Sequence, residues 1–376
     1  MKANSAIANI KASDTKGFSP NIGIWIFVFF LLMFGTFAAT GLDPYNNTTA
    51  NFIPPASLQV QKLHWVFNYF IPGLGAIMAI SFLVISIKKR TFTWWFLFSI
   101  AAMCMFPLES MADWGANLTY NPAFPHFNFP FAFPWHVAHN PYFLIGAYIQ
   151  YWGMHAYLAG RGANWLSRKT NWPVWVSAIV LGIPTGYIWN IMNEGVATYM
   201  GWWQYQPAIG PSISWAKFGG LGNFPLTVPV IIACLWPTFM SVFVDNSGQT
   251  TYQLGRIEKL FNLGRLLPDN HPSSPNYKGD PNAKPTKFAW KFEIAKLVSW
   301  IGIFLWTYFF LMDVPCVLAK YFTQKDSPIW HPWPTLVEGL NHISRNSIVL
   351  GLITIVLVVV VFVVESRRRK VSDINN

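Results

Sequence analysis

Apolar runs alternate with short polar connections along most of the chain. A run of about 20 apolar residues is what a helix needs to cross a hydrocarbon core of about 30 Å. Read this way, the pattern predicts eight spans, at about 22–40, 64–87, 92–113, 142–160, 173–200, 224–244, 294–319 and 347–364. The connections alternate too. Lys88, Lys89 and Arg90 follow the second span, and Arg161, Arg168 and Lys169 follow the fourth. Arg256, Lys259, Arg265, Lys278, Lys284, Lys287 and Lys291 follow the sixth, and Arg367 to Lys370 the eighth, whereas the opposite connections hold only Lys62, Lys217, Lys320, Lys325 and Arg345. Because lysine and arginine concentrate in cytoplasmic loops, the expectation is an all-α integral membrane protein: one polytopic domain over 1–376, a bundle of about eight helices, multi-pass, with both termini cytoplasmic. The first run begins near Asn21 after a stretch carrying Lys2, Lys11 and Lys16, and it is long enough to span, so it reads as a transmembrane helix and not as a cleaved signal.

Composition sharpens this. The chain is 53% hydrophobic and only 11% charged, against roughly 25% charged residues in ordinary soluble domains, so soluble enzyme folds are poor starting points. The net charge of +11 comes from clusters between apolar runs and not from a basic stripe interleaved with aromatics, which leaves the bilayer as partner and excludes nucleic acid. Cys104, Cys234 and Cys316 lie in apolar segments without CxxC spacing, so neither a disulfide framework nor a zinc site is expected. The segment 245–292 is polar and rich in Pro, Asn and Lys, the composition of a flexible cytoplasmic loop and an unpromising place for chemistry. The external segments 114–141 and 201–223 are instead dense in aromatic residues and proline, suited to the interface or to capping a site.

Ionisable groups inside spans are expensive and are functional candidates by default. Here they are Glu109 and Asp113 in span three, Glu194 in span five and Asp313 in span seven. Counted from the cytoplasmic start of each helix at 1.5 Å per residue, all four fall roughly 25–32 Å along, near the external side. Glu109 and Asp113 are four residues apart and share a helical face, as do Asn190 and Glu194. Two close carboxylates in a low-dielectric pocket resist ionising together and can divide the roles of general acid and general base. Pro107, one turn earlier, should break the backbone ladder there. Against this stand plainer readings: Asp113 near the helix end is equally a solvated or loop-bonded residue, Asn190 and Glu194 can tie helices together, and Asp313 reads as structural, pairing with Lys320 or a neighbouring helix.

His126, His136 and His139 share one external loop, His331 and His342 another, and His64 opens span two, but no HxxxH, HxxHH or HExxH box occurs, so no metal is expected. His155, inside span four, is expected to meet a polar partner in the bundle. GxGxxG, GxxxxGK[ST] and GxSxG are also missing, so nucleotide-driven and serine-hydrolase mechanisms lose their usual support and no cofactor is implied. Asn46, Asn47 and Asn117 sit in Asn-x-Thr sequons on the expected external side.

The run "PLESMADWGANLTYNPAFPHFNFP", with "NPYFLIGAYIQYW" and "GWWQYQPAIGPSISWAKFGGLGNFPL" after it, resembles the polytopic membrane spirocyclase family typified by the avermectin spirocyclase, over about residues 105 to 230. Members of that family often carry an acid just after the final "FP" pair, where this chain has "LTV". The resemblance implies acid-assisted closure of hydroxyl groups onto a ketone in a lipophilic, polyketide-like substrate, without a cofactor. Glu109 and Asp113 would then be acid and base with Glu194 assisting. Trp114, Asn117, Tyr120, Asn190, Trp202, Trp203 and Tyr205 would shape the substrate pocket. The competing readings are a proton-coupled transporter, which would more naturally show repeats, and a non-catalytic membrane accessory protein. Neither substrate identity nor oligomeric state is written in the sequence.

Overall fold

The computed structural model describes residues 21–30, 65–116, 118–121, 124–125, 141–205, 210–231, 236–243, 254–280, 283–316 and 318–319. Within them the chain is predominantly helical. We label the helices α1 (Asn21–Phe30), α2 (Val66–Lys89), α3 (Trp94–Met103), α4 (Phe106–Ala116), α5 (Phe143–Thr170), α6 (Val174–Tyr199), α7 (Trp236–Ser241), α8 (Arg256–Leu260) and α9 (Trp290–Cys316). Three of them, α2, α6 and α9, are long and apolar enough to cross a membrane. Their surfaces agree with that. Only 11% of the most apolar window of α2 is buried, and Ile77, Ile80 and Ile87 on it stay exposed; water would penalise such a face, whereas lipid does not. In α9 the corresponding share is 61%, which makes it a central helix. The protein is a membrane protein on these grounds. The expected span at 347–364 and the second half of the one at 22–40 lie outside the described residues.

α5 is the hub, packing against α2, α3, α6 and α7, while α9 lies against α3. Close helix approach in lipid rests on small residues, because tight van der Waals contact replaces the hydrophobic drive. The α2–α5 crossing shows it: a Cβ on Gly75 would stand 2.7 Å from Gly146 Cα, and one on Gly146 would stand 2.8 Å from Pro72 Cα. Gly23 of α1 meets Ser299 of α9 in the same way, and Gly182 of α6 meets Thr238 of α7.

The expected continuous span at 92–113 is two helices. α3 stops at Met103, residues 104–105 form a turn, and α4 restarts at Phe106 with Pro107 in its first turn, where the missing N–H costs nothing. The aromatic external segments are not plain loops. β1 (Leu118–Tyr120) pairs antiparallel with β2 (Trp203–Tyr205), matching Leu118 to Tyr205 and Tyr120 to Trp203. β3 (Ser212–Ser214) pairs with β4 (Asn223–Pro225).

The segment expected to be a flexible loop holds packed structure in its described part. α8 and the 3₁₀ turn Leu263–Leu266 bury Ile257, Phe261 and Leu263 against α9. Arg256 donates to Asn164 Oδ1 of α5 at 2.9 Å and to the Val242 carbonyl, and Trp300 Nε1 donates to buried Glu258 at 3.1 Å. At the same end, Arg90 caps α2 in the left-handed region at φ 58°. Its guanidinium donates to the carbonyls of Pro285 at 3.0 Å and Thr286 at 2.5 Å, clamping the end of α2 to the start of α9.

Candidate functional site

Asp313 lies 23 residues beyond Trp290 on α9, about 35 Å away at 1.5 Å per residue. At that opposite end the acids gather. Glu109 and Asp113 sit one turn apart on α4, as their spacing predicts, and both are buried, so Asp113 is not the solvated helix-end residue that the plainer reading allowed. β1 follows almost at once, and its ribbon with β2 returns residues some eighty positions away to the same place.

Glu109 collects donors from three elements. Tyr120 of β1 donates its hydroxyl to Oε1 at 3.3 Å. Tyr148 of α5 and Tyr308 of α9 both donate to Oε2, the latter at 2.5 Å, and their hydroxyls are 3.4 Å apart. Hydrogen bonds to an ionised acceptor are short and roughly twice as strong as neutral ones, so this carboxylate is anchored far more firmly than a lone helix residue would be. Glu194 is treated similarly: Trp203 Nε1 donates to its Oε2 at 2.5 Å and the Tyr205 hydroxyl at 3.0 Å. Tyr120 and Trp203 are cross-strand partners with ring centroids 5.6 Å apart. The ribbon therefore hands one donor to Glu109 and two to Glu194 and ties the two acids into one unit.

The aspartates complete the group. Asp113 interacts electrostatically with Glu109, Glu194 and Asp313. Asp313 is fully buried, senses Glu109, and neither of its carboxylate oxygens has a hydrogen-bond partner among the described residues. The sequence expectation that Asp313 pairs with a neighbouring helix is thus not met there, and Lys320 lies outside the described residues. Local backbone contributes to the aim of both outer acids, since Glu194 lies in a π-helical turn, Ile191–Gly195, and Asp313 ends another, Phe309–Asp313. A π turn inserts one residue into the helical repeat and rotates the following side chains, and it is frequent at functional sites.

Of the residues expected to line a pocket, Tyr120, Trp203 and Tyr205 are hydrogen-bonded into the cluster. Trp202 packs its ring 4.6 Å from that of Phe67, and its buried Nε1 has no partner among the described residues. Asn190, expected to share a face with Glu194, precedes the π turn and donates through Nδ2 to the Tyr151 hydroxyl at 2.8 Å. Asn117 and the side chain of Trp114 lie outside the described residues. Tyr148 and Tyr308 were not anticipated; the available signal was a tyrosine inside an apolar span, whose buried hydroxyl must find a partner.

His155 lacks the polar partner expected for it: both ring nitrogens are buried without a hydrogen bond among the described residues, and the ring stacks on Trp189 at 13°. Among the described residues no group of His, Cys, Asp and Glu is arranged to hold a metal. The sequon asparagines and His64, His126, His136, His139, His331 and His342 fall outside the described residues. The arrangement is thus a cluster of four carboxylates ringed by phenol and indole donors, suited to passing protons and to stabilising a developing cation on an apolar molecule. No family model, no curated protein and no solved structure matches the chain.

Proposed function

We propose that the chain is a membrane-embedded acid–base enzyme acting on a lipophilic small molecule, with spiroketal-type cyclisation or dehydration as the reaction class. The observation that carries this reading is the contrast inside the cluster between Glu109, held by three phenols, and Asp313, buried beside it with no donor among the described residues. A purely structural acid in a low-dielectric interior would have both oxygens satisfied. A group left over at such cost is one that a ligand or a transferred proton completes.

The roles follow from hydrogen-bond capacity. Glu109, oriented entirely as an acceptor, takes the proton of an attacking hydroxyl. Asp313 delivers a proton to the carbonyl oxygen, with Asp113 and Glu194 as the neighbouring carboxylates that balance the oxocarbenium-like charge. Addition of one hydroxyl to the ketone gives a hemiketal. Protonation of the hemiketal hydroxyl releases water, and the second hydroxyl closes the ring on the resulting cation and returns its proton to a carboxylate. Trp203, Tyr120 and Tyr205 supply aromatic faces to that cation. The family resemblance over residues 105 to 230 supports this class. The same proposal includes eight spans with both termini cytoplasmic, supported by the clamp between the basic end of α2 and the start of α9.

The test is comparative lipid-extract metabolite profiling of cells expressing wild type, Asp313→Asn and Glu109→Gln. A product formed by wild type and lost in both variants, at equal protein levels, is the expected result. Unchanged profiles, or variants that alter proton flux into proteoliposomes while no product forms in wild type, would overturn the enzymatic reading in favour of transport.

A further inference from the structure

At the opposite end of α9 lies an open groove of about 310 Å³, lined by Leu266, Asn270, His271, Lys287, Trp290 and Lys291 among others. His271 is 5% exposed. The Ser273 amide donates to its Nδ1 at 3.1 Å, so in the neutral ring the proton resides on Nε2, which becomes a donor. That Nε2 is buried and has no hydrogen-bond partner among the described residues. The first turn of α9 opens on the same groove through Trp290, Lys291 and Phe292. The Trp290 amide donates to the Phe288 carbonyl at 3.1 Å, but the Lys291 and Phe292 amides that follow have no acceptor within the helix, and the N-cap, Ala289, provides no side-chain oxygen for them. The first-turn acid, Glu293, does not oppose an anion as a free charge, because it is committed to Lys296, Thr91 and the Phe92 amide. Lys287 and Lys291 are exposed at the groove, and Trp290, 62% exposed, stands beside them as an aromatic at the membrane level of the span.

We propose that this groove holds the phosphate of a membrane-lipid headgroup, with His271 Nε2–H and the Lys291 and Phe292 amides of α9 donating to its oxygens and the Lys287 and Lys291 side chains balancing its charge. Helix N-termini are ready anion sites because unpaired amides and the helix dipole act together. Here a buried neutral imidazole adds a directed donor, and the position at the end of a spanning helix favours a lipid over a soluble phosphate.

Full-length protein in nanodiscs tests this, with retained lipid counted by native mass spectrometry. Discs of phosphatidylcholine alone are compared with discs containing phosphatidic acid, and inorganic phosphate is titrated separately as a soluble probe. Wild type should retain phosphatidic acid preferentially, and His271→Phe and the surface double variant Lys287→Gln/Lys291→Gln should each reduce that retention about tenfold, the equivalent of one lost charge-assisted hydrogen bond. A groove that instead serves a soluble ligand would show saturable inorganic phosphate binding, lost in both variants, with no lipid preference, and this would overturn the lipid assignment. Equal retention of both lipids by wild type, or retention unchanged in the double variant, whose exposed positions do not disturb folding, would overturn the site itself.

Discussion

The two ends of α9 each bury an acid, and they treat it in opposite ways. Glu293, fully buried near the start, accepts from the Thr91 hydroxyl at 2.6 Å and the Phe92 amide at 2.8 Å and pairs with Lys296 at 2.7 Å. Both carboxylate oxygens are engaged, and the result is a staple joining α9 to the α2–α3 turn. Asp313, equally buried twenty residues later, has no hydrogen-bond partner among the described residues and faces other carboxylates. Burial alone therefore says little about function. What separates these two acids is whether hydrogen bonds and an opposite charge close around them: the Glu293–Lys296 pair gives up its energy only by unfolding, whereas Asp313 can still take a ligand or a proton.

The largest test of this difference is stability. Glu293→Ala strands Lys296 in the interior and should cost about 3–5 kcal/mol, seen as a lower detergent-solubilised melting temperature. Asp313→Asn replaces a buried carboxyl that has no hydrogen-bond partner among the described residues and should leave stability within about 1 kcal/mol of wild type or raise it. Equal losses in the two variants would erase the distinction. Next come the phenols: Tyr148→Phe and Tyr308→Phe each remove one donor to Glu109 and should cost about 1.5–3 kcal/mol. Because the two hydroxyls lie 3.4 Å apart and share one acceptor oxygen, the double variant should lose less than the sum, and strict additivity in the thermal melts would show that they do not act as a unit.

The smallest effect concerns pH at the groove. Burial pushes the His271 imidazole below its ordinary value of 6.5; nearby Glu293 works against this and Lys296 with it. A base with a depressed folded value binds fewer protons folded than unfolded, so stability is full above about 6.5 and declines as pH falls from there toward the folded value. Protection factors, that is hydrogen exchange corrected for its intrinsic pH dependence, in peptides covering 266–292 should fall over that window in wild type and not in His271→Phe. Protection factors independent of pH in wild type would show that the imidazole is not held neutral by its surroundings.

Legibility from sequence was uneven for physical reasons. Acids in apolar runs stand out, so Glu109, Asp113, Glu194 and Asp313 were visible as a level of carboxylates. Glu258 and Glu293 were not, because they lie among lysines and read as solvated until Trp300 and Lys296 are seen to cover them. Tyr120, Trp203 and Tyr205 were placed near the acids by what the family resemblance implies, not by any pattern within their own segments. Tyr148 and Tyr308 were passed over, since a tyrosine within a span looks like any other bulky residue until its hydroxyl is counted as a donor that burial must satisfy. The segment around His271 read as polar and flexible, yet its few apolar residues, Ile257, Phe261 and Leu263, suffice to dock it.

The sequence by itself determined the solvent: runs of apolar residues with charges confined between them can satisfy their backbones only as helices in lipid, whatever their neighbours. It also marked Glu109, Asp113, Glu194 and Asp313 as the acids to watch, because a carboxylate inside an apolar run stands out whatever its neighbours. Only the tertiary structure decided what those acids meet. Strand pairing between β1 and β2, the π turns that reorient Glu194 and Asp313, and the glycine contacts that set how closely α2 and α5 approach are all agreements between distant segments. No periodicity within one segment encodes such agreements.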